Sequence, residues 1–194
     1  MRLLSTRTIF SVALIGFASV AWANPAHAQS CYGVAGNLVN NCGFENSDFT
    51  DWSWSGTFIT VQSGNARSGS YAALLGSQRS SGFLSQTFAT TPGQSYDVNF
   101  WLAGVGGEYF NAYFDGNQIY AKGAAPGTID YLNVDVNAVA NAVSSTLTFE
   151  FRYDADYYRL DDVSVVSATP EPASIVLLGT GLLGIFGIAR RREA

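Results

Sequence analysis

The sequence predicts an all-β fold, a jelly-roll-like β-sandwich, for the part of the chain that lies between two hydrophobic terminal segments. Helical periodicity is hard to find between residues 31 and 168. Apolar and polar residues alternate there instead, in short runs that are separated by glycine-rich turns. About eight short strands joined by such turns are typical of a β-sandwich, which is therefore the prediction for the middle of the chain.

The strands are predicted where the alternation has a period of two residues. The longest runs are 96–102, 110–114 and 147–153. Asp115-Gly116-Asn117 follows the second run and predicts a β-hairpin that continues into residues 118–120. Shorter strands are predicted at 57–62, 71–75 and 160–166. Residues 134–143 leave two alternatives open, a short helix or a segment that covers a loop.

The N-terminal segment has the features of a secretory signal peptide. Arginines precede an apolar run at residues 9–20, which is short for a membrane-spanning helix. Ala26-His27-Ala28 then provides a cleavage site of small residues, so residues 1–28 are predicted to be removed from an exported protein. An alternative cleavage site follows Ala23.

The C-terminal segment predicts a hydrophobic helix that enters a membrane. Residues 173–189 are apolar and have no polar face, and Arg190-Arg191-Arg192 follows them. A helix of this length reaches roughly 25 Å, slightly less than the hydrocarbon core of about 30 Å. The arginine cluster would stay on the cytoplasmic side, so the domain would lie outside.

Pro170-Glu171-Pro172, the apolar helix and the arginine cluster, in this order, resemble the PEP-CTERM sorting signal of Gram-negative bacteria. The resemblance covers about the last 25 residues, 170–194. It implies transient membrane insertion of the tail and cleavage near Pro170-Glu171-Pro172 by an exosortase-type membrane protease. The expected route is an inner-membrane intermediate, then the cell surface or extracellular (biofilm) matrix. Such proteins are often found in bacteria that make exopolysaccharide.

The charge and the residue types of the remaining domain, residues 29–169, exclude several functions. Five basic and thirteen acidic residues give this domain a net charge of about −8. An acidic surface disfavours nucleic acid and favours divalent cations or neutral ligands. The chain has one histidine, His27, which lies in the signal peptide. Catalysis by Ser-His-Asp or Cys-His groups is therefore excluded, and only chemistry such as that of a glycosidase, with two carboxylates, survives.

Cys31 and Cys42 are the only cysteines, and both lie in the exported part of the chain. Two thiols in an oxidising compartment predict one disulfide bond. This bond would join the leading segment of the domain to its first strand, with a stabilisation of about 2–3 kcal/mol.

A second resemblance covers nearly the whole domain. Its motifs, in chain order, are Asn37-Leu38-Val39-Asn40-Asn41-Cys42-Gly43-Phe44-Glu45, Trp52, Arg67-Ser68-Gly69-Ser70-Tyr71-Ala72, Leu84-Ser85-Gln86-Thr87-Phe88, Pro92-Gly93-Gln94-Ser95-Tyr96 and Leu160-Asp161-Asp162-Val163-Ser164-Val165. This order is similar to that of the galactose-binding-like jelly rolls, a group that includes many carbohydrate-binding modules. The resemblance implies a structural calcium ion at Glu45 and Asp162, completed by backbone carbonyl groups near Arg67-Ser68-Gly69. Alternatively, these two acidic residues end strands or pair with Arg67.

Modules of this group bind sugars through aromatic side chains on a sheet face or at loop tips. Alternation places Trp101, Asn111 and Tyr113 opposite the core-facing residues Phe100, Phe110 and Phe114. The first three are therefore expected to share one face as a sugar-binding platform. Trp52 is a further candidate for ligand binding, although one of Trp52 and Trp54 is expected in the core.

The function predicted from the sequence is that of an exported, surface-sorted, non-catalytic protein that binds extracellular polysaccharide or matrix. One alternative is a purely structural matrix protein or adhesin without a defined ligand. The other is a small glycosidase that uses a pair of carboxylates.

Overall fold

The computed structural model describes residues 30–104, 106–123 and 130–168. They form two five-stranded antiparallel sheets, sheet A with the strand order β1-β4-β9-β6-β7 and sheet B with the order β2-β3-β10-β5-β8. The prediction of an all-β sandwich is confirmed. A 3-10 helix at Cys31–Gly33 precedes the strands, which are β1 (Ser53–Ser55), β2 (Ile59–Ser63), β3 (Tyr71–Leu75), β4 (Gly82–Ala89), β5 (Ser95–Ala103), β6 (Tyr109–Phe114), β7 (Asn117–Lys122), β8 (Leu132–Val139), β9 (Ser144–Arg152) and β10 (Tyr158–Ser167).

The predicted signal peptide and the predicted tail, residues 170–194, lie outside the described residues. Within the described ranges, no helix has the length and the apolar character needed to cross a membrane.

A cluster of phenylalanine side chains joins the two sheets. Phe100 of sheet B packs on Phe149 of sheet A, edge to face, with 5.1 Å between the ring centroids. Phe110 lies 5.6 Å from Phe149, and all three side chains are fully buried. Phe114 is also buried, so the alternation assigned the core-facing side of β5 and β6 correctly. Truncation of one such ring costs about 3–5 kcal/mol, which makes this cluster a main source of stability.

Strand β8 corrects one expectation. The segment 134–143, for which a short helix or a loop cover was considered, is mostly a strand that pairs along β5 at the edge of sheet B. Val134 and Ala138 are buried and Val136 is partly buried. Asp135 and Asn137, which alternate with them along the strand, are exposed. This period of two residues is that of a half-buried strand, because successive side chains of a strand point to opposite faces.

The N-terminal segment of the domain lies along the part of β10 that β3 leaves unpaired. The backbone N–H of Leu38 donates to the carbonyl of Val165, and the N–H of Val163 donates to the carbonyl of Cys42. Cys31 and Cys42 form the predicted disulfide bond. Residues 38–44 contain a turn at 40–43 and no strand, although the first strand was expected here, so the bond ties the leading segment to the side of β10 instead.

Candidate functional site

The outer surface of sheet A carries a row of polar and aromatic side chains on β6. Because Phe110, Ala112 and Phe114 face the core, the other three residues of β6 face outward. These residues are Tyr109, Asn111 and Tyr113. In the neighbouring strand β9, Arg152, Glu150 and Thr148 lie opposite them in the same order. The strand pairing therefore places a carboxylate in the centre of this surface, between two tyrosines.

Hydrogen bonds organise the side chains around Glu150. Its Oε2 atom accepts from the hydroxyl of Tyr113 at 3.0 Å and from the amide of Asn111 at 3.5 Å. Its Oε1 atom accepts from the hydroxyl of Ser81 at 2.9 Å, and the same hydroxyl lies 2.6 Å from the hydroxyl of Tyr109. Both tyrosines are thus held through one carboxylate, so the surface is ordered before any ligand arrives.

Tyr113 on this surface remains a neutral hydrogen-bond donor. Burial raises the pKa of Tyr113, and its hydrogen bond to the Glu150 carboxylate raises this pKa further. The pKa of a tyrosine is ordinarily about 10, so the phenol keeps its proton at physiological pH.

Further exposed groups extend this surface toward β4. Phe83 lies opposite Glu150 in the strand pairing and is 40 % exposed. The hydroxyls of Thr87 and Thr146 are 2.8 Å apart on the same side of sheet A. We define the outward side chains of Phe83, Tyr109, Asn111, Tyr113 and Glu150, with Ser81 beside them, as the A face.

Only two members of the A face, Asn111 and Tyr113, are among the candidates named from the sequence. The alternation of β9 already indicated that Glu150 faces away from the core, and this signal could have added it to the candidates. No comparable signal marks Ser81, because its contact with Glu150 joins residues 69 positions apart.

The expected platform of Trp101, Asn111 and Tyr113 is wrong as a single surface. Trp101 lies on β5 in sheet B, whereas the other two lie on β6 in sheet A, so they face opposite sides of the sandwich. Alternation tells which side of its own sheet a residue faces but not which sheet its strand joins. The Trp101 ring is also covered, because the guanidinium of Arg67 lies 3.9 Å from the ring centroid.

The two other tryptophans of the domain have different environments. Trp52 is only 7 % exposed, packs against Phe44 and Phe149, and donates from its indole N–H to the carbonyl of Asn41. It is a core residue with little surface for contact with a ligand, and its expected role in ligand binding stays an untested prediction. Trp54 is 52 % exposed at the edge of sheet A. The expectation that one of the pair lies in the core is confirmed.

An irregular stretch of β10 holds two buried acidic residues, Asp161 and Asp162. The Asp162 carboxylate accepts hydrogen bonds from the Ser68 hydroxyl and from the backbone N–H of Cys31, and it forms an ion pair of 2.8 Å with Arg67. The Asp161 carboxylate accepts from the backbone N–H groups of Arg67 and Ser68. Burial, together with the charge of Asp162, raises the pKa of Asp161 to about 7.

Glu45 contacts the same segment of the chain at another point. Its carboxylate accepts hydrogen bonds from the backbone N–H groups of Ser70 and Tyr71. Gly69 has a φ of 67°, and a Cβ atom there would collide with this carboxylate. Only glycine therefore allows Glu45 to lie so close to the turn.

The arrangement of these residues does not fit a calcium ion at Glu45 and Asp162. Calcium takes six to eight oxygen ligands, whereas the Asp162 carboxylate already accepts from an arginine, a hydroxyl and a backbone N–H. The guanidinium of Arg67, whose side chain is 6 % exposed, already supplies a buried positive charge to the Asp162 carboxylate. Among the described residues, no group of three or more acidic, histidine or cysteine side chains could hold a metal ion. Calcium binding stays an untested prediction.

The two antiparallel sheets define the fold class of the protein, a β-sandwich with a jelly-roll fold. Residues 168–192 match the PEP-CTERM protein-sorting motif, which confirms the resemblance of the tail. No curated protein is similar to the sequence.

Solved structures with the same fold include binding modules and an adhesin domain. The module TmCBM61, solved in complex with β-1,4-galactotriose, is 23% identical, has a TM-score of 0.54 and covers 68% of this chain and 99% of its own. The tandem CBM22-1–CBM22-2 domain of Paenibacillus barcinonensis Xyn10C is 18% identical, with a TM-score of 0.51 over 76% of this chain and 49% of its own. The K1 cleaved adhesin domain of Lys-gingipain from Porphyromonas gingivalis W83 is 14% identical, with a TM-score of 0.52 over 66% of this chain and 96% of its own. These similarities establish the jelly-roll fold.

Proposed function

We propose that this protein is an exported, surface-sorted, non-catalytic protein that binds extracellular polysaccharide on the A face. The observation that carries the proposal is the carboxylate of Glu150, which is held between two outward tyrosines by a network of hydrogen bonds. The similar module TmCBM61 was solved with a bound β-1,4-linked sugar, which supports the class of ligand.

The chemistry of the A face suits a sugar. The rings of Phe83, Tyr109 and Tyr113 offer apolar surfaces on which the C–H face of a pyranose can stack. Glu150 and Asn111 offer an acceptor and a donor for its hydroxyl groups. Since hydrogen bonds already hold these side chains, less conformational entropy is lost when a ligand binds.

The acidic residues of sheet A support binding rather than hydrolysis. Glu150 is the only acidic residue within its five described strands. A glycosidase needs two carboxylates that face each other across the scissile bond at about 5–10 Å. The one carboxylate within these strands is held by three neighbouring side chains and is suited to orienting a sugar.

The PEP-CTERM motif supports the proposed location. Its hydrophobic part would insert transiently into the inner membrane, where an exosortase-type protease would cut near Pro170-Glu171-Pro172. The domain would then be delivered to the cell surface or the extracellular matrix of a Gram-negative bacterium. A polysaccharide-binding domain that is released there would attach to the glycans of the biofilm matrix.

Affinity electrophoresis in gels that contain soluble β-1,4-galactan, xylan or mannan tests this proposal. We expect wild-type protein to be retarded by at least one polymer, and Glu150→Gln to be retarded measurably less. Asp135→Asn is the matched control, because it removes the same charge from an exposed position on β8 in sheet B. Retardation of Glu150→Gln equal to wild type would exclude the A face. Absence of binding to these polymers and to a glycan array would favour the structural matrix or adhesin alternative.

A further inference from the structure

A groove of about 450 Å³ lies at the edge of the sandwich, where β1 of sheet A and β2 of sheet B are the edge strands. Its lining includes Asp48, Phe49, Thr50, Trp54, Ile59 and Val61. This volume lies within the range of about 300–1,000 Å³ that is typical of sites for small ligands. We call it the edge groove.

Two aromatic side chains, Trp54 in the lining of the edge groove and Phe58 next to the lining residue Ile59, are about half exposed. Trp54 is 52 % exposed, and its ring contacts that of Phe49 at 6.0 Å between centroids. Phe58, directly before β2, is 54 % exposed and has a φ of 55°. A bulky side chain disfavours this left-handed conformation, and the exposed Phe58 ring does not offset it by burial. Exposed apolar surface at a groove is typical of a ligand-binding site.

The polar groups of the edge groove complement the aromatic ones. Asp48 is exposed, and its carboxylate accepts a hydrogen bond of 2.9 Å from the backbone N–H of Thr50. Hydrogen bonds from Thr50 lower the pKa of Asp48, so the carboxylate is ionised at neutral pH. Asp48 is the only charged residue in the lining. An indole, a carboxylate and nearby hydroxyls suit an uncharged sugar, and the negative charge disfavours a uronate.

The edge groove and the A face lie on different sides of sheet A. In the pairing of β1 with β4, Trp54 lies opposite Leu84, which is fully buried in the core, whereas Ser55 lies opposite the outward Phe83. Trp54 therefore leaves β1 on the side away from the A face. One short sugar segment cannot contact both places at once.

We propose that the edge groove is a second carbohydrate site, which binds a neutral sugar residue by stacking on Trp54 and by hydrogen bonding to Asp48. With the A face, it gives each domain two attachment points and allows one protein to link two polysaccharide chains. The linking role rests on the proposed function of the A face, whereas sugar binding at Trp54 can be measured separately.

The indole N–H signals in the NMR spectrum of the purified, ¹⁵N-labelled protein test the proposal, with the Trp54 signal assigned by its loss in Trp54→Phe. The probes are galactotriose, xylotriose and mannotriose with β-1,4 linkages, and trigalacturonate. We expect at least one neutral trisaccharide to shift the Trp54 signal saturably in wild type and in Glu150→Gln, and trigalacturonate to leave it unchanged. In the variants, the backbone N–H signals of the groove residues Thr50 and Val61 report binding. By these signals Trp54→Ala should bind at least tenfold more weakly, whereas Tyr32→Ala, which truncates another exposed aromatic side chain, should bind as wild type does.

Light scattering with a long soluble polysaccharide tests the linking role. Wild type should aggregate the polymer, and Trp54→Ala and Glu150→Gln should each abolish the aggregation.

The NMR and gel results together separate the two sites. If no neutral sugar shifts the Trp54 signal although polysaccharide gels still retard the protein, the edge-groove proposal is overturned and the A-face proposal stands. A Trp54 signal that responds to sugar, combined with unchanged retardation of Glu150→Gln, would instead support the edge groove and exclude the A face. An equal shift with trigalacturonate would overturn the preference for neutral sugars.

Discussion

The ion pair between Arg67 and Asp162 allows a quantitative prediction about stability. Both side chains are nearly inaccessible to solvent, at 6% and 1% exposure, and their charged atoms are 2.8 Å apart. Asp162→Asn keeps the size of the side chain, and asparagine tolerates the φ of 49° at this position. The substitution leaves the guanidinium buried without its counter-charge.

Removal of one partner of a buried ion pair costs about 3–5 kcal/mol, because the other charge stays desolvated. For a domain of about 140 residues, each kcal/mol lowers the Tm by roughly 3 °C, so the expected fall is about 10–15 °C. The double variant Arg67→Met/Asp162→Asn should recover part of this loss, since neither charge is then buried. Asp154→Asn is the matched control, because Asp154 pairs with Arg152 near the surface and its loss should change the Tm far less.

Thermal unfolding by circular dichroism, with added calcium and with EDTA, measures these effects. If Arg67 is the resident cation, the wild-type Tm is the same in both media. The reasoning is refuted if EDTA lowers the wild-type Tm and Asp162→Asn abolishes that difference, because calcium would then be the counter-ion of Asp162. A fall of only a few degrees in Asp162→Asn would equally contradict it.

Three further predictions follow from the buried cluster and from the two ends of the chain. The pKa of Asp161, raised to about 7, exceeds its ordinary value, so its contribution to stability is complete below about pH 4 and is lost as the pH rises through 7. The Tm should therefore fall between about pH 4 and pH 7 in wild type, and a fall of the same size in Asp161→Asn would exclude Asp161 as its cause. Trp101→Ala removes the ring beneath Arg67, so we expect a lower Tm with unchanged retardation in polysaccharide gels. Lost retardation in a stable Trp101→Ala protein would place the sugar site on sheet B. Intact-mass spectrometry of the protein from the host surface should show a start near Gln29 and an end near Pro170, and a mature form that retains the arginine cluster would contradict sorting.

Local patterns in the sequence were sufficient for much of the fold. A period of two residues assigned Phe100, Phe110 and Phe114 to the core, and Asp115-Gly116-Asn117 marked the hairpin between β6 and β7. The disulfide bond and the PEP-CTERM motif were also correct. The core-facing sides, the hairpin and the sorting motif depend on residues that are close in the sequence, and the disulfide bond depends on the oxidising compartment of an exported protein. Neighbouring positions in the sequence are therefore enough to predict these features.

Local ambiguity explains the error at residues 134–143. Alanine and valine occur there at positions that a short helix, a covering segment or an edge strand would all accept. The pairing of β8 with β5 decides between them, because the hydrogen bonds of a strand come from a partner elsewhere in the chain.

The sequence by itself determined the sandwich, the core-facing side of each main strand, the disulfide bond and the sorting tail. Only the tertiary structure decided that Trp101 and Tyr113 belong to different sheets, and that Trp52 is buried while Trp54 is exposed. It also decided that Arg67 meets Asp162, 95 positions away. The physical reason is that alternation reports only the two sides of one strand. The partners of that strand, and hence the groups that meet on a surface, depend on contacts between distant segments.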